Sequence, residues 1–319
     1  MDVNRNRPDR WKQDIAHSVD MYNEWFLQFA PAAYRDTRIR TTSDVQATLT
    51  TTRYLTDISV AVLKSNPAIL PTLRMSACPP LAVDRLIGLS GVSKTLVNSM
   101  ERKHRLPPRM TNEQVDYQLR KIGETIKKMA DPDIFVWLGR ADKPPSTLER
   151  YRAATIVADR LCGAVANPII RNAQEKRQLT AIGLWLDAKG YEPAQDGITY
   201  DRMRPGTYSF RLIVPVDQEG SNRKINIPVD AVVMPKAAEM GDFPLLLEAK
   251  SAGDFTNVNK RRKEEATKIG QLRHTHGDNV RFNLFLCGYF DSGYLGYEAA
   301  EGIDWVWEHR IDDLAGFGL

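Results

Sequence analysis

The feature that most constrains how this chain folds is a change of hydrophobic period along it. Before about residue 191, apolar side chains recur every three or four residues, the repeat of an amphipathic helix. After residue 206 they alternate, the repeat of a strand. Five long helices are expected first, over 15–34, 42–67, 111–132, 147–168 and 169–191. Ser43 or Asp44, and Thr111 or Asn112, are read as N-caps of the second and third. Pro31, Pro67 and Pro168 are read as stops, because proline lacks a backbone donor and disfavours helix in the residue before it. Strands are expected at 206–216, 223–235, 242–250 and 281–290, with one helix at 259–276. The expected class is α/β (α+β): a helix-rich N-terminal region, then a mixed central sheet flanked by helices. The division is placed at 1–150 and 151–319, within the Pro-bearing stretch 141–168.

Composition sets limits on this reading. The chain has 319 residues, 42% hydrophobic and 26% charged, which suits one large domain or two smaller ones. A net charge of +4 names no partner by itself. No apolar run approaches the roughly 20 residues of a membrane helix. The opening "MDVNRNRPDRWKQD" lacks the apolar core of a signal peptide. A cytoplasmic protein with no membrane partner is therefore expected. Cys78, Cys162 and Cys287 are far apart, odd in number and in apolar surroundings, so they read as reduced core residues.

The stretch "FPLLLEAKSAGDF" (243–255) is unusual. Three leucines mark a strand hidden on both faces, yet Glu248 and Lys250 follow two residues apart and so share one side of it. The strand before it ends "INIPVD", and a short connection makes an antiparallel hairpin that brings Asp230 to Glu248. Two neighbouring carboxylates raise each other's pKa and settle when a divalent cation lies between them; oxygen ligands of this kind suit Mg²⁺. A lysine beside them can position a water and stabilise an oxyanion. That set suits in-line hydrolysis of a phosphodiester. An E-x-K triplet alone is more often a solvated ion pair; the leucines before it, the upstream Asp and the element order give this one its weight.

"PVD" at 228–230, with "EAK" at 248–250, resembles the PD-(D/E)XK nuclease motif, and the helix–strand–strand–strand–helix–strand order over about 169–290 is similar to that superfamily's core. Val229 stands between the Pro and the Asp, a departure the loose pattern tolerates. Longer segments, "LLLEAKSAGDFTNVNKRRKEEATKIGQL" and "IDWVWEHRIDDL", resemble type II restriction endonucleases of the XamI kind. The resemblance implies Asp230, Glu248 and the Ala249 carbonyl as Mg²⁺ ligands and Lys250 as the water-positioning group. It implies Glu175, on the preceding helix, as an additional acid at the metal. It further implies double-stranded DNA cut at a short palindrome, a homodimer, a cognate methyltransferase and a bacterial cytoplasm. Rival readings are another nuclease on the same core, for repair or a mobile element, and a DNA-binding regulator with an inactive core.

Two basic segments are candidates for DNA contact. Lys260, Arg261, Arg262 and Lys263 follow the EAK strand, where phosphate contact would be salt-sensitive and sequence-independent. The ordinary alternative is a solvated face balanced by Glu264 and Glu265. Residues 84–108 read as a helix, a turn at Ser90–Gly91 and a second helix, the spacing of a helix-turn-helix. It would present Ser93, Lys94, Thr95 and Asn98 to base edges, with Arg102, Lys103, Arg105 and Arg109 near phosphates. A structural hairpin explains the same spacing. His274 and His276 lack the partners of a metal site. Trp305 and Trp307 are read as core.

Overall fold

The computed structural model describes residues 2–140, 143–218, 223–239, 241–256 and 258–319, with the side chains of 258–261 outside the described set. Helix α1 runs unbroken over Pro8–Thr51 with Pro31 inside it. The expected breaks at Pro31 and Ser43 are therefore absent. One proline removes a single ladder bond, which a helix of this length absorbs. The helix stops where Arg53, Tyr54 and Leu55 all take left-handed backbone, with φ of 48°, 59° and 67°. Short helices α2 (Val60–Ser65), α3 (Leu70–Met75), α4 (Val83–Ser90) and α5 (Lys94–Lys103) follow. Helix α6 (Asn112–Met129) starts at Thr111, whose hydroxyl and Gln114 form the reciprocal capping pair. Helix α7 (Thr147–Ala188) runs through Pro168, merging the two helices expected there. By length and composition α7 could cross a membrane, with a window mean hydropathy of 1.3. About a third of that window is buried, with Ala153, Val157, Ala158 and Leu161 in the helical core.

The remainder builds one six-stranded sheet: β1 (Glu192–Pro193), β2 (Thr207–Asp217), β3 (Lys224–Met234), β4 (Leu245–Ala252), β5 (Phe282–Gly288) and β6 (Asp304–Trp307). The strands lie side by side in chain order. Pairing is antiparallel for β2–β3 and β3–β4 and parallel for β1–β2, β4–β5 and β5–β6. Helix α8 (Val258–His276) makes the β4–β5 crossover and α9 (Ser292–Ala300) the β5–β6 crossover. The strand β6 and helix α9 were not foreseen, although Trp305 and Trp307 are fully buried as expected.

Packing divides the chain into two compact units. One is 30–170, the other 2–29 with 171–319. The first is helical around Leu49, Leu63, Leu96, Leu119 and Phe135. The second is the sheet with helices on both faces. Leu245, Leu247, Phe285 and Val306 pack with α7 residues Ile182 and Leu186. Their strand neighbours Leu246, Leu284, Trp305 and Trp307 pack with Ile269 and Leu272 of α8. Period two in sequence thus becomes two covered faces. The first residues are stitched to this unit: the backbone N–H groups of Val3, Asn4 and Arg5 donate to the Asp304 carboxylate.

One irregularity positions the site. In β2 and β3, Tyr208, Ala231 and Val233 pack on the α7 side, whereas Val214, Val216, Ile227 and Val229 pack on the α8 side. The paired strands change face at Arg211 and Asp230 without losing register, since Phe210 pairs Ala231 and Leu212 pairs Val229. Arg211 takes φ 56° to do so, a conformation that costs a non-glycine residue energy. Pairing of β3 with β4 ends at Ala231–Leu247, one residue from Asp230.

Candidate active site

The departure of β3 leaves the edge of β4 open just where its charged residues begin. Asp230 fills that edge: its Oδ2 accepts the N–H of Ala249 at 2.9 Å. In a strand the N–H and C=O of one residue point the same way, so the Ala249 carbonyl faces the Asp230 side too. Glu248 and Lys250 lie on the α8 side, where Lys250 Nζ stands 3.1 Å from Glu248 Oε1. An open pocket of about 310 Å³ is lined by Asp230, Glu248, Ala249, Lys250 and Glu175, together with Arg171, Gln178, Ser251 and Glu264. The five site residues read from the sequence therefore meet in one place. Glu175 is half-buried and paired with Arg211, Oε1 to Nη2 at 2.7 Å.

Burial, and then the charge of Glu248, push the Asp230 carboxyl up to about 6. Burial pulls Lys250 down, but the carboxylates of Glu248 and Glu265 outweigh it and hold the ammonium above its ordinary value. Two residues near the site carry no motif signal and were not read from the sequence. Lys268 of α8 donates to Glu248 Oε2 at 2.6 Å and to the Pro228 carbonyl at 2.8 Å. Glu265 lies 3.8 Å from Lys250 Nζ and accepts the Tyr294 hydroxyl at 2.6 Å. Only their spacing of three on an amphipathic helix hinted that they share a face. Gln178 of α7 ties the site from the other side, donating to the carbonyls of Lys250 and Phe285, each at 3.2 Å.

Elsewhere the sequence candidates divide. The side chains of Lys260 and Arg261 lie outside the described residues. Lys263 is exposed, while Arg262 stacks its guanidinium 3.6 Å from the Tyr297 ring centre. Residues 84–108 do form helix, glycine turn and helix, with Gly91 left-handed at φ 59°. Lys94, Thr95, Arg102, Lys103, Arg105 and Arg109 are exposed and Asn98 is half-buried. Spacing puts Lys94, Asn98 and Arg102 on one face of α5. The Ser93 hydroxyl is taken up as the N-cap, accepting the Leu96 N–H at 3.1 Å. His276 Nε2 lies 2.8 Å from the Pro215 carbonyl and its ring packs on Phe243, so it serves packing. Cys162 and Cys287 are buried free thiols; Cys78 is exposed, against expectation.

Comparison with known proteins bears on the family of the chain. A solved structure described as "Crystal structure of protein VC1899 from Vibrio cholerae" aligns at 11% identity with a TM-score of 0.29, over 79% of this chain and 54% of its own. The chain thus spans about half the length of that structure, and so low a score supports no argument. The Type II restriction enzyme SalI of Streptomyces albus G is 52% identical over 318 residues, 99% of each chain. A family model described as XamI restriction endonuclease matches residues 53–307. On that match and that identity, the chain belongs to the XamI restriction endonuclease family.

Proposed function

We propose that the pocket at the end of β4 is where this enzyme hydrolyses DNA, with Mg²⁺, at a short palindromic site. Membership of the family makes the chain a type II site-specific deoxyribonuclease, a phosphodiester hydrolase. The observation that carries the proposal is the meeting of Asp230, Glu248 and Lys250 where β3 leaves β4, in a pocket open to solvent. The donor set fits Mg²⁺: two carboxylates and the Ala249 carbonyl, all oxygen. Burial first, and then the charge of Glu248, raise the Asp230 carboxyl, and a cation beside the two acids would relieve the second of these. Among the described residues no three His, Cys, Asp or Glu side chains form a cage. Such a shell suits Mg²⁺, which keeps several waters and takes one or two carboxylates plus substrate phosphate. The ion, when bound, supplies Lewis acidity and lowers the pKa of its water.

The protein groups do the rest. Asp230 and Glu248 hold the ion. Lys250 points its ammonium at the attacking water and at the phosphoryl oxygen on which charge grows. Glu175, which also lines the pocket, would serve as an additional acid at the metal. Lys260, Arg261, Arg262 and Lys263 contact the backbone of the bound duplex. Helix α5 reads bases through Lys94, Thr95 and Asn98, beside Ser93, with Arg102, Lys103 and Arg105 on phosphates. A palindrome is read by a two-fold homodimer, and a cognate methyltransferase in the same bacterial cytoplasm protects the host site. Incubation of plasmid DNA with and without Mg²⁺ tests the proposal. Discrete fragments only with the ion are expected. A smear would mark a nonspecific nuclease, and binding without cleavage a regulator on an inactive core.

A further inference from the structure

The strand that ends in an acid and a base is met by a helix carrying the opposite pair. Glu265 faces Lys250, 3.8 Å from its Nζ. Lys268 faces Glu248, 2.6 Å from its Oε2. Glu265 and Lys268 are three apart on α8, hence on one helix face; Glu248 and Lys250 are two apart on β4, hence on one strand face. The two faces are packed together, with Leu246 of β4 in the same cluster as Ile269 and Leu272 of α8.

Neither α8 residue is an incidental surface charge. The Glu265 side chain is 2% exposed and that of Lys268 16%. Glu265 is itself fixed from behind by Tyr294 of α9. Beside it lies Glu298, equally buried, whose carboxyl burial and then the charge of Glu265 push up to about 9. Lys268 reaches beyond Glu248 to the Pro228 carbonyl, two residues before Asp230, and so bridges β3 to β4 where their ladder has ended. Burying an acid is costly unless its charge has a partner, and an exposed pair would leave long side chains free to wander.

We propose that Glu265 and Lys268 are positioning residues of the nuclease: Glu265, backed by Tyr294, aims the Lys250 ammonium, and Lys268 fixes Glu248 at its distance from Asp230. The clamp rests on the reading of Glu248 and Lys250 as the reacting site. It acts through them and not on the substrate.

The test uses the full chain and two readouts. One is competitive labelling of lysine amines with isotopic acetic anhydride, read at Lys250 by mass spectrometry. The other is steady-state cleavage of a duplex with Mg²⁺. Glu265→Gln is expected to raise Lys250 labelling severalfold and to lower kcat by about ten- to a hundredfold, the usual effect of removing a supporting partner, with KM within twofold. Lys268→Gln is expected to lower kcat to the same extent with KM unmoved. Parent kcat in both variants, or a loss carried by KM alone, overturns the clamp. Unchanged Lys250 labelling in Glu265→Gln overturns the Glu265 half, whatever DNA does. A parent that cuts no DNA while Glu265→Gln still frees Lys250 supports the clamp and removes the nuclease reading instead. Should Glu265→Gln fail to fold, Tyr294→Phe is expected to shift both readouts severalfold the same way, and parent values for it overturn the proposal.

Discussion

The end of β4 and helix α5 both present charge, and they do so in opposite ways. At β4 the charges are inside: the side chains of Lys250, Glu248 and Glu265 are 22%, 10% and 2% exposed, and opposite signs face each other. On α5, Lys94, Thr95, Arg102 and Lys103 stand in solvent, and the buried charge serves only the scaffold. There Arg74 of α3 grips Glu101 of α5 through two 2.7 Å bonds from behind. The chemistry proposed at β4 needs atoms held to a fraction of an ångström, which packed and paired charges provide. The DNA contact proposed for α5 needs charge that is still hydrated and free to exchange counterions. Removing one partner of a buried pair costs about 3–5 kcal/mol, whereas an exposed pair is worth about 0–1 kcal/mol.

The contrast can be broken by experiment, most forcefully at Lys250. Lys250→Ala is expected to lower the cleavage rate by at least about 10²–10³-fold. DNA affinity, measured with Ca²⁺ in place of Mg²⁺, should stay near the parent's. Cleavage at the parent rate would show that the ammonium is merely another surface cation. A second effect concerns stability. The folded state binds the Asp230 proton more tightly than the unfolded state, with a pKa of about 6 against an ordinary 3.8. Stability from this group is therefore complete below pH 4 and is lost as pH rises through about 6. The gap corresponds to at most ~3 kcal/mol. Melting without divalent ions should show that fall between pH 4 and 7, and Asp230→Asn should flatten it and melt higher at pH 7.5. A parallel fall in the variant would place the titration elsewhere. The smallest effect is expected on α5. Asn98→Ala should weaken specific DNA binding by about 1–3 kcal/mol and leave the melting temperature nearly unchanged. Equal loss on random-sequence DNA would reduce α5 to a phosphate contact.

The strands were legible because burial on both sheet faces wrote itself into consecutive apolar residues, and the pairing of Asp230 with the E-x-K strand followed from a short connection. The helix breaks were not legible. Pro31 and Pro168 look like stops in a local window, but each sits in a helix of 44 or 42 residues, where the loss of one bond is outvoted by the rest. Glu265 and Lys268 were hidden for a different reason. In "KRRKEEATKIGQL" seven of the thirteen residues are charged, and only the packing of α8 on β4 decides which of them face inward. The turn of face at Arg211 was equally silent, since nothing in "YSFRLIV" announces a left-handed arginine. Asp304–Trp307 joins the sheet through β5, but the bonds that cover the Asp304 carboxylate come from Val3, Asn4 and Arg5 at the far end of the sequence.

That last dependence has a consequence during synthesis. Val3 and Asn4 hold Asp304 across 301 and 300 positions of sequence. Residues 30–170 leave the ribosome as one stretch and need nothing that comes later to complete their own core. The segment before α1 differs: it docks on the Asp304 carboxylate only once that residue has been made. The unit that carries the proposed site is thus closed by residues made long after the helical unit's sequence is complete, an order set by connectivity.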